Sequence, residues 1–144
     1  MGLFSFFSSK PRYSEIEVVA KAYAAKQAYD RKDFTTAKKY FKEYFSMKGT
    51  GNFPRLDASD YQMKFNIVFC ELYSRDYASC ASTCAELIHL YPNDGNAYAF
   101  AALANNKLGN KMLAEQQWRK AKQFGSQLAA WDTVDEVRMD GYNQ

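Results

Sequence analysis

Residues 75–92, RDYASCASTCAELIHLYP, contain two of the three cysteines of this chain and its only histidine. Cys80 and Cys84 are four residues apart, a spacing that puts both thiols on one face of a helix. Thiolate and imidazole groups could together hold a soft metal ion such as zinc, or could pair for nucleophilic catalysis. This stretch is therefore the first candidate for chemistry.

The positions of the other ligands argue against both kinds of chemistry. A tetrahedral zinc site needs four ligands, but Cys70 belongs to a different predicted helix, and His89 follows Cys84 by five residues and points elsewhere. A nucleophilic thiol needs a base nearby, and the single histidine is badly placed to be one. Cysteine also packs well as a small hydrophobic residue. We therefore expect Cys80 and Cys84 to be core residues, with no metal site.

The composition of the chain is that of an ordinary globular protein. Hydrophobic residues make up 47% and charged residues 24% of its 144 residues, which supports a real core in one domain. A net charge of +3 is too mild to indicate a nucleic-acid-binding protein. The sequence contains no glycine-rich phosphate loop, no histidine–carboxylate cluster and no nucleophile motif. We therefore expect neither enzymatic activity nor a cofactor.

Cysteine usage and hydropathy predict where the protein resides. An odd count of three cysteines suits a reducing compartment rather than a disulfide framework. No apolar run approaches the roughly 18 residues that a membrane-spanning helix needs. The sequence therefore predicts a cytoplasmic protein.

The N-terminal segment, residues 1–13, is apolar at its start and basic at its end. Its large apolar residues are Leu3, Phe4, Phe6 and Phe7. Lys10 and Arg12 follow them, which is the reverse of the order in a secretory signal peptide. Two interpretations stand. The segment is either a flexible tail whose phenylalanines dock on this chain or on another, or a peripheral membrane contact through residues 1–9.

Hydrophobic spacing and capping residues predict an all-α chain of about seven helices. Ser14 and Glu17 form a capping box before the first helix, and Asp33 and Asp76 are N-cap residues for later helices. The first helix has one apolar face with a single polar member, formed by Ile16, Ala20, Tyr23, Ala24 and Gln27. Residues 48–57, KGTGNFPRLD, are rich in glycine and proline and predict a loop.

Three stretches of the chain share one pattern of a turn followed by a helix. They are KDFTTAKKYFKEYFSM from Lys32, RDYASCASTCAELIHL from Arg75 and GNKMLAEQQWRKAKQF from Gly109. In each helix, residues spaced by four and then three align: Ala37, Phe41 and Tyr44; Cys80, Cys84 and Leu87; Ala114, Trp118 and Ala121. The offset in numbering from Cys80 to Ala114 is 34, and the longer offset of 43 from Ala37 to Cys80 is explained by the 48–57 loop.

A 34-residue period of paired helices resembles the tetratricopeptide repeat (TPR) family. The first helices of the pairs agree at their close-packing positions, Ala24-Ala25, Ile67-Val68 and Ala101-Ala102, and Pro92 ends the second repeat as proline often does in the family. Lys21 and Lys64 depart from the family pattern, which has tryptophan or leucine there. The resemblance implies a TPR domain over 14–144, with repeats of about 15–48, 59–92 and 94–125 and a capping helix of about 126–140.

The resemblance implies an α-solenoid whose concave face, lined by the first helix of each pair, binds a partner peptide. The implied groove residues are Lys26, Tyr29, Gln62, Phe65, Asn66, Phe69, Tyr73, Leu103 and Asn106. Phe65, Phe69 and Tyr73 recur every four residues, so they form one stripe along their helix. Either a partner protein covers this stripe, or the chain covers it with its C-terminal helix or its N-terminal phenylalanines.

Charge is distributed unevenly along the chain. Residues 1–48 carry ten Lys or Arg against five Asp or Glu, whereas residues 126–144 carry four acidic residues against Arg138 alone. Such charges are explained either by solvated helix faces or by head-to-tail contacts in a homo-oligomer.

Two functional hypotheses follow from the resemblance. The first is a non-enzymatic adaptor or scaffold in the cytoplasm, soluble or within a membrane-associated assembly, that holds a segment of a partner protein. The second is a cytoplasmic chaperone of a bacterial secretion system, binding a translocator or effector subunit, because compact three-repeat TPR proteins of similar length do this.

Overall fold

The structure, a computed structural model, describes residues 12–130 of the chain, and this part is all-α. Its α-helices are α1 (Glu15–Asp30), α2 (Phe34–Lys48), α3 (Asp60–Tyr73), α4 (Tyr77–Leu90), α5 (Gly95–Lys107) and α6 (Lys111–Gln123). Short 3₁₀ helices span Pro54–Ser59 and Gln127–Ala130. No strand occurs between residues 12 and 130. The predicted all-α fold is confirmed.

Local hydrogen bonds fix the helix starts that the sequence predicted. Ser14 Oγ accepts a hydrogen bond from the Glu17 backbone N–H at 3.2 Å, and the Ser14 N–H donates to Glu17 Oε2 at 2.7 Å, which completes the capping box. Asp33 and Asp76 each accept a hydrogen bond from the backbone N–H three residues later, at 3.2 and 3.3 Å. The capping predictions for these three helices are therefore confirmed.

The predicted 48–57 loop and the predicted 126–140 helix both overlap with a 3₁₀ helix in the structure. The predicted 48–57 loop ends in the 3₁₀ helix Pro54–Ser59, because Pro54 at the first helical position has no N–H to leave unpaired and its fixed φ suits a helical turn. Lys48 Nζ stabilises this turn through contacts of 2.5 Å to Asp57 and 3.0 Å to Asp60. Of the predicted 126–140 helix, residues 127–130 form a 3₁₀ turn, and the remainder lies outside the described residues.

The chain forms two compact units that divide between Ser74 and Arg75. In the first unit, α2 packs against both α1 and α3. In the second unit, α5 packs against both α4 and α6, and the Gln127–Ala130 turn lies against α5 and α6. Each unit therefore has a central helix with a partner on either side.

Small residues on α1 allow the first unit to pack closely. Its buried core joins all three helices and consists of Ala25, Ala28, Ala37, Phe41, Ile67 and Cys70. A neighbouring cluster contains Val18, Ala22, Tyr44 and Phe53, with Tyr13 packed against its edge. Tyr13 directly precedes the N-cap residue, and Val18 is the fourth residue after that cap, so this contact is a hydrophobic staple that fixes how the chain enters α1.

The second unit is built around the alanine-rich helix α5. Its buried residues run almost without interruption from Ala97 to Asn105, and α6 contributes Trp118, which is 1% exposed. Alanines on α5 let α4 and α6 approach closely, and the large Trp118 side chain supplies much of the apolar area.

The aligned stretches of the sequence correspond to a repeated local structure. The buried residues of α2, α4 and α6 are those that the alignment placed in register: Ala37, Phe41 and Tyr44; Cys80, Cys84 and Leu87; Ala114, Trp118 and Ala121. The turn before each helix also repeats, because Lys32, Arg75 and Gly109 all adopt left-handed conformations, with φ of 64°, 59° and 85°. Two independent features of the backbone and the core thus share the period of the sequence.

Candidate functional site

The cysteine-rich helix α4 contributes to the core of the second unit. Cys80 and Cys84 are both 0% exposed, as the sequence predicted, and His89 lies on the exposed surface of the same helix. Among residues 12–130, no group of three or more histidine, cysteine, aspartate or glutamate side chains is arranged to hold a metal ion.

Cys70 on α3 is the thiol with the most perturbed surroundings. It is fully buried in the first unit, and this burial, together with the neighbouring Glu71 carboxylate, raises the pKa of its thiol to about 12. Both causes disfavour the thiolate, and Lys38 opposes them only in part. The Cys70 thiol is therefore protonated at neutral pH, and its surroundings disfavour the thiolate, which is the nucleophilic form.

The predicted groove residues differ widely in accessibility. Lys26 and Gln62 are exposed. The half-buried members are Tyr29, Phe69, Tyr73 and Asn106. The buried members are Phe65, Asn66 and Leu103, with exposed fractions of 4%, 8% and 4%. The half-buried aromatic residues all belong to the first unit, and they are the apolar part of the predicted groove that a partner could reach.

A row of aromatic rings follows α3. The Tyr61 and Phe65 rings are 4.7 Å apart between centroids, and the Phe65 and Phe69 rings are 6.4 Å apart. This row lies on the side of α3 opposite Ile67, whose side chain belongs to the core formed with α1 and α2. Tyr61 was not among the predicted groove residues, although its position four residues before Phe65 extends the same stripe.

Phe34 brings two predicted groove residues of different helices together. Its ring stacks on Tyr73 at 4.8 Å and meets Tyr29 edge-on at 5.4 Å. Burial raises the pKa of Tyr29 to about 12, with a further contribution from Tyr73, and burial also raises the pKa of Tyr73. Both phenols are therefore protonated at neutral pH and able to donate hydrogen bonds. Phe34 was not among the predicted groove residues.

The predicted amide residues have polar partners within their own units. Gln62 Nε2 donates to Asn66 Oδ1 at 3.1 Å, which satisfies the buried Asn66 and orients the exposed Gln62. In the second unit, Lys111 Nζ donates to Asn106 Oδ1 at 2.7 Å. These contacts hold the amides in place on either unit.

The face of α1 that carries its larger apolar side chains is exposed. Ile16 is 81% exposed and Tyr23 is 66% exposed, whereas the buried side of the helix is formed by Val18, Ala22, Ala25 and Ala28. The predicted helix is thus present, but its packed side is the one lined by valine and alanine. The smaller residues allow α1 to approach α2 closely.

The second unit has a groove of about 580 Å³ with an apolar floor and a basic edge. Ile88, Tyr98 and Leu113 line the floor, and Arg119 and Lys120 lie at the edge. This groove was not among the predicted sites, because its lining comes from three helices that only the fold brings together.

Within residues 12–130, no helix is both long enough and apolar enough to cross a membrane. The predicted docking or membrane residues Leu3, Phe4, Phe6 and Phe7 lie outside the described residues. No family model, curated protein or solved structure matches this chain.

Proposed function

We propose that this protein is a non-enzymatic TPR-like interaction module that holds a segment of another protein on the first unit. The observation that carries the proposal is the aromatic row of α3, formed by Tyr61, Phe65 and Phe69, which continues toward Tyr73. Its outer members are accessible: Tyr61 is 37% exposed, and Phe69 and Tyr73 are half-buried. Aromatic side chains are enriched at protein interfaces, and tyrosine is among the residues that most often dominate binding there.

The chemistry around this row suits an extended or helical protein segment. Gln62, held by Asn66, supplies a fixed amide beside the rings, and Lys26 supplies a positive charge on α1. The protonated Tyr29 and Tyr73 hydroxyls can donate hydrogen bonds to the carbonyl groups of such a segment. An apolar centre with polar groups around it is the usual composition of a protein interface.

Binding rather than catalysis is proposed because none of the three thiols is accessible. All three thiols are buried, and the high pKa of Cys70 keeps it protonated. The cytoplasm, where thiols remain reduced, is the proposed location. An adaptor or scaffold is the proposed role, and a secretion chaperone is the alternative outcome of the experiment below.

Site-specific photo-crosslinking in native lysate tests the proposal. A photoreactive phenylalanine analogue replaces Tyr61 or Phe69 in the full chain, and a matched control carries it at Met112, which is 79% exposed on α6. We expect a discrete crosslinked protein from positions 61 and 69 that is absent from position 112 and is competed by unlabelled chain. The same products from all three positions, or no product from 61 and 69, would contradict the proposal.

The identity of the crosslinked protein distinguishes the two roles. A partner that is folded and soluble when purified alone indicates an adaptor or scaffold. A partner that aggregates unless co-expressed with this chain indicates a chaperone.

A further inference from the structure

The exposed face of α1 has no equivalent on the other first helices of the repeat. At the successive repeat offsets, Tyr23 corresponds to Asn66 on α3 and to Phe100 on α5. Tyr23 is 66% exposed, whereas Asn66 is 8% exposed and Phe100 is 4% exposed. The same contrast holds for Gln27, which is exposed, and for its equivalents Cys70 and Ala104, both 0% exposed.

The equivalent faces of α3 and α5 are buried because the helix that precedes each of them packs against it. On α3, Cys70 and Ile67 pack against Phe41 of α2, and α5 packs against α4 in the same way. Within the described residues, no helix precedes α1. Its face, formed by Ile16, Ala20, Tyr23, Ala24 and Gln27, is therefore the position at which the repeat would place one more packed element.

We propose that residues 1–11 of this chain dock on this face of α1, in the position that α2 takes against α3 and α4 takes against α5. The segment directly precedes α1 and contains four large apolar side chains, Leu3, Phe4, Phe6 and Phe7. These side chains would cover Ile16 and Tyr23, which otherwise leave apolar surface in water.

The backbone before α1 changes direction, which favours docking of residues 1–11 on the face of α1. Arg12 and Tyr13 form a bend, and Tyr13 is anchored beside Val18 by the hydrophobic staple, so the chain changes direction immediately before the helix. Three residues, 12–14, then connect the segment to α1, close to the four residues, 91–94, that connect α4 to α5.

The lengths of the segment and of the face also match. Eleven residues in helical form span about 16 Å, which is also about the distance along α1 from Ile16 to Gln27. The first turn of α1 carries Glu15 and Glu17, and Lys10 lies next to the end of the segment, so opposite charges would meet where the two elements join. The docked segment covers the free end of the first unit and leaves the aromatic row of α3 for a partner.

Paramagnetic relaxation in the full chain tests the proposal. Ser5→Cys carries a nitroxide label, which reacts selectively because the native cysteines are all 0% exposed. We expect loss of the backbone amide signals of Tyr23 and Gln27, and the variants below separate docking from the approach of a freely moving chain of this length. Tyr23→Glu in the labelled chain restores these signals, because it places a charge within the docking face. Met112→Glu, an equally exposed control on α6, leaves the loss unchanged.

Three results would overturn the proposal. One is unchanged signals at Tyr23 and Gln27, and another is a loss that Tyr23→Glu does not reverse although the variant keeps the wild-type helical content. The third is a loss that appears when unlabelled ¹⁵N chain is mixed with labelled ¹⁴N chain, because a second copy then covers the face. Ile16→Glu serves as an independent variant of the same face, and its 81% exposure makes it tolerable for folding.

Flotation with phosphatidylserine-containing vesicles tests whether residues 1–11 bind a membrane instead of α1. We expect the full chain to stay with the soluble fraction, because the phenylalanines are engaged by α1. Flotation of the wild type that is lost in Phe6→Ser/Phe7→Ser would overturn the proposal.

Discussion

Lys38 Nζ on α2 lies 3.0 Å from Glu71 Oε2 on α3, and this contact joins two helices of the first unit. Glu71 is 1% exposed, and its Oε1 atom has no hydrogen-bond partner among the described residues. A buried carboxylate with one unpaired oxygen depends strongly on its cation. Such a pair adds little net stability over apolar side chains of similar volume, but removing one partner is costly.

Lys38→Met should lower the free energy of unfolding by about 3 kcal/mol, because it leaves the Glu71 charge buried without its cation. The double variant Lys38→Met/Glu71→Leu should recover most of that loss, because it removes both charges and keeps the apolar volume. Urea denaturation followed by circular dichroism measures both values. A double variant as unstable as Lys38→Met would contradict this account.

A residue in the left-handed conformation precedes each of α2, α4 and α6, and only one of these three residues is a glycine. Lys32 and Arg75 have φ of 64° and 59°, which strains a residue with a Cβ, while Gly109 has φ of 85° at the equivalent position without that strain. Arg75→Gly should raise the free energy of unfolding by about 0.5–1 kcal/mol, and Gly109→Ala should lower it by about 1 kcal/mol. Thermal and urea unfolding measure the changes, and the same sign for both variants would show that backbone strain is not the cause.

Helix starts were predictable because capping depends on residues close together in sequence. The Ser14–Glu17 capping box and the Asp33 cap each act within a single turn of the chain. The repeat spacing then identified which positions of α2, α4 and α6 are buried, because a position shared by several helices carries more information than the periodicity of one helix.

The composition of the candidate site was only partly predictable, because it depends on contacts between distant residues. Phe34 at the start of α2 contacts Tyr73 at the end of α3, and no local pattern reports that pairing. Periodicity also could not decide which side of α1 is packed, because both sides have apolar residues at helical spacing. Val18 and Ala22 lie on one side, and Ile16 and Tyr23 lie on the other. Close packing against α2 selects the smaller side chains.

Alkaline pH should destabilise the protein, and Cys70 should account for the first part of the loss. Burial raises the pKa of its thiol from 9.0 to about 12, so above pH 9.0 the unfolded chain releases a proton that the folded chain keeps. The free energy of unfolding then falls as pH rises toward 12, by up to about 1.4 kcal/mol per pH unit from this one group. Tyr29, whose pKa is raised from 10.0 to about 12, acts with the same sign above pH 10.0.

The variant Cys70→Ala isolates the thiol contribution. Its free energy of unfolding should fall less steeply than that of the wild type between about pH 9 and pH 10.5, whatever the absolute cost of the substitution. Urea midpoints at several pH values in that window provide the measurement. Parallel pH dependences for the two proteins would rule out Cys70 as the group responsible.

Gly95 at the start of α5 should tolerate no side chain, because the end of α6 approaches it closely. A Cβ at this position would lie 2.9 Å from the Ala121 carbonyl oxygen and 2.9 Å from the Ser126 backbone nitrogen. Backbone atoms can give way only by moving the turn after α6, so Gly95→Ala should cost about 2 kcal/mol in urea unfolding.

Gly49→Ala is the matched control for this substitution. Its Cβ would meet only the Phe45 and Ser46 carbonyl oxygens, at 3.3 and 3.6 Å, and its φ is −69°, which any residue adopts. We expect the control to stay within about 0.5 kcal/mol of the wild type. Equal stability of the two variants would mean that the second unit adjusts around Gly95 without cost.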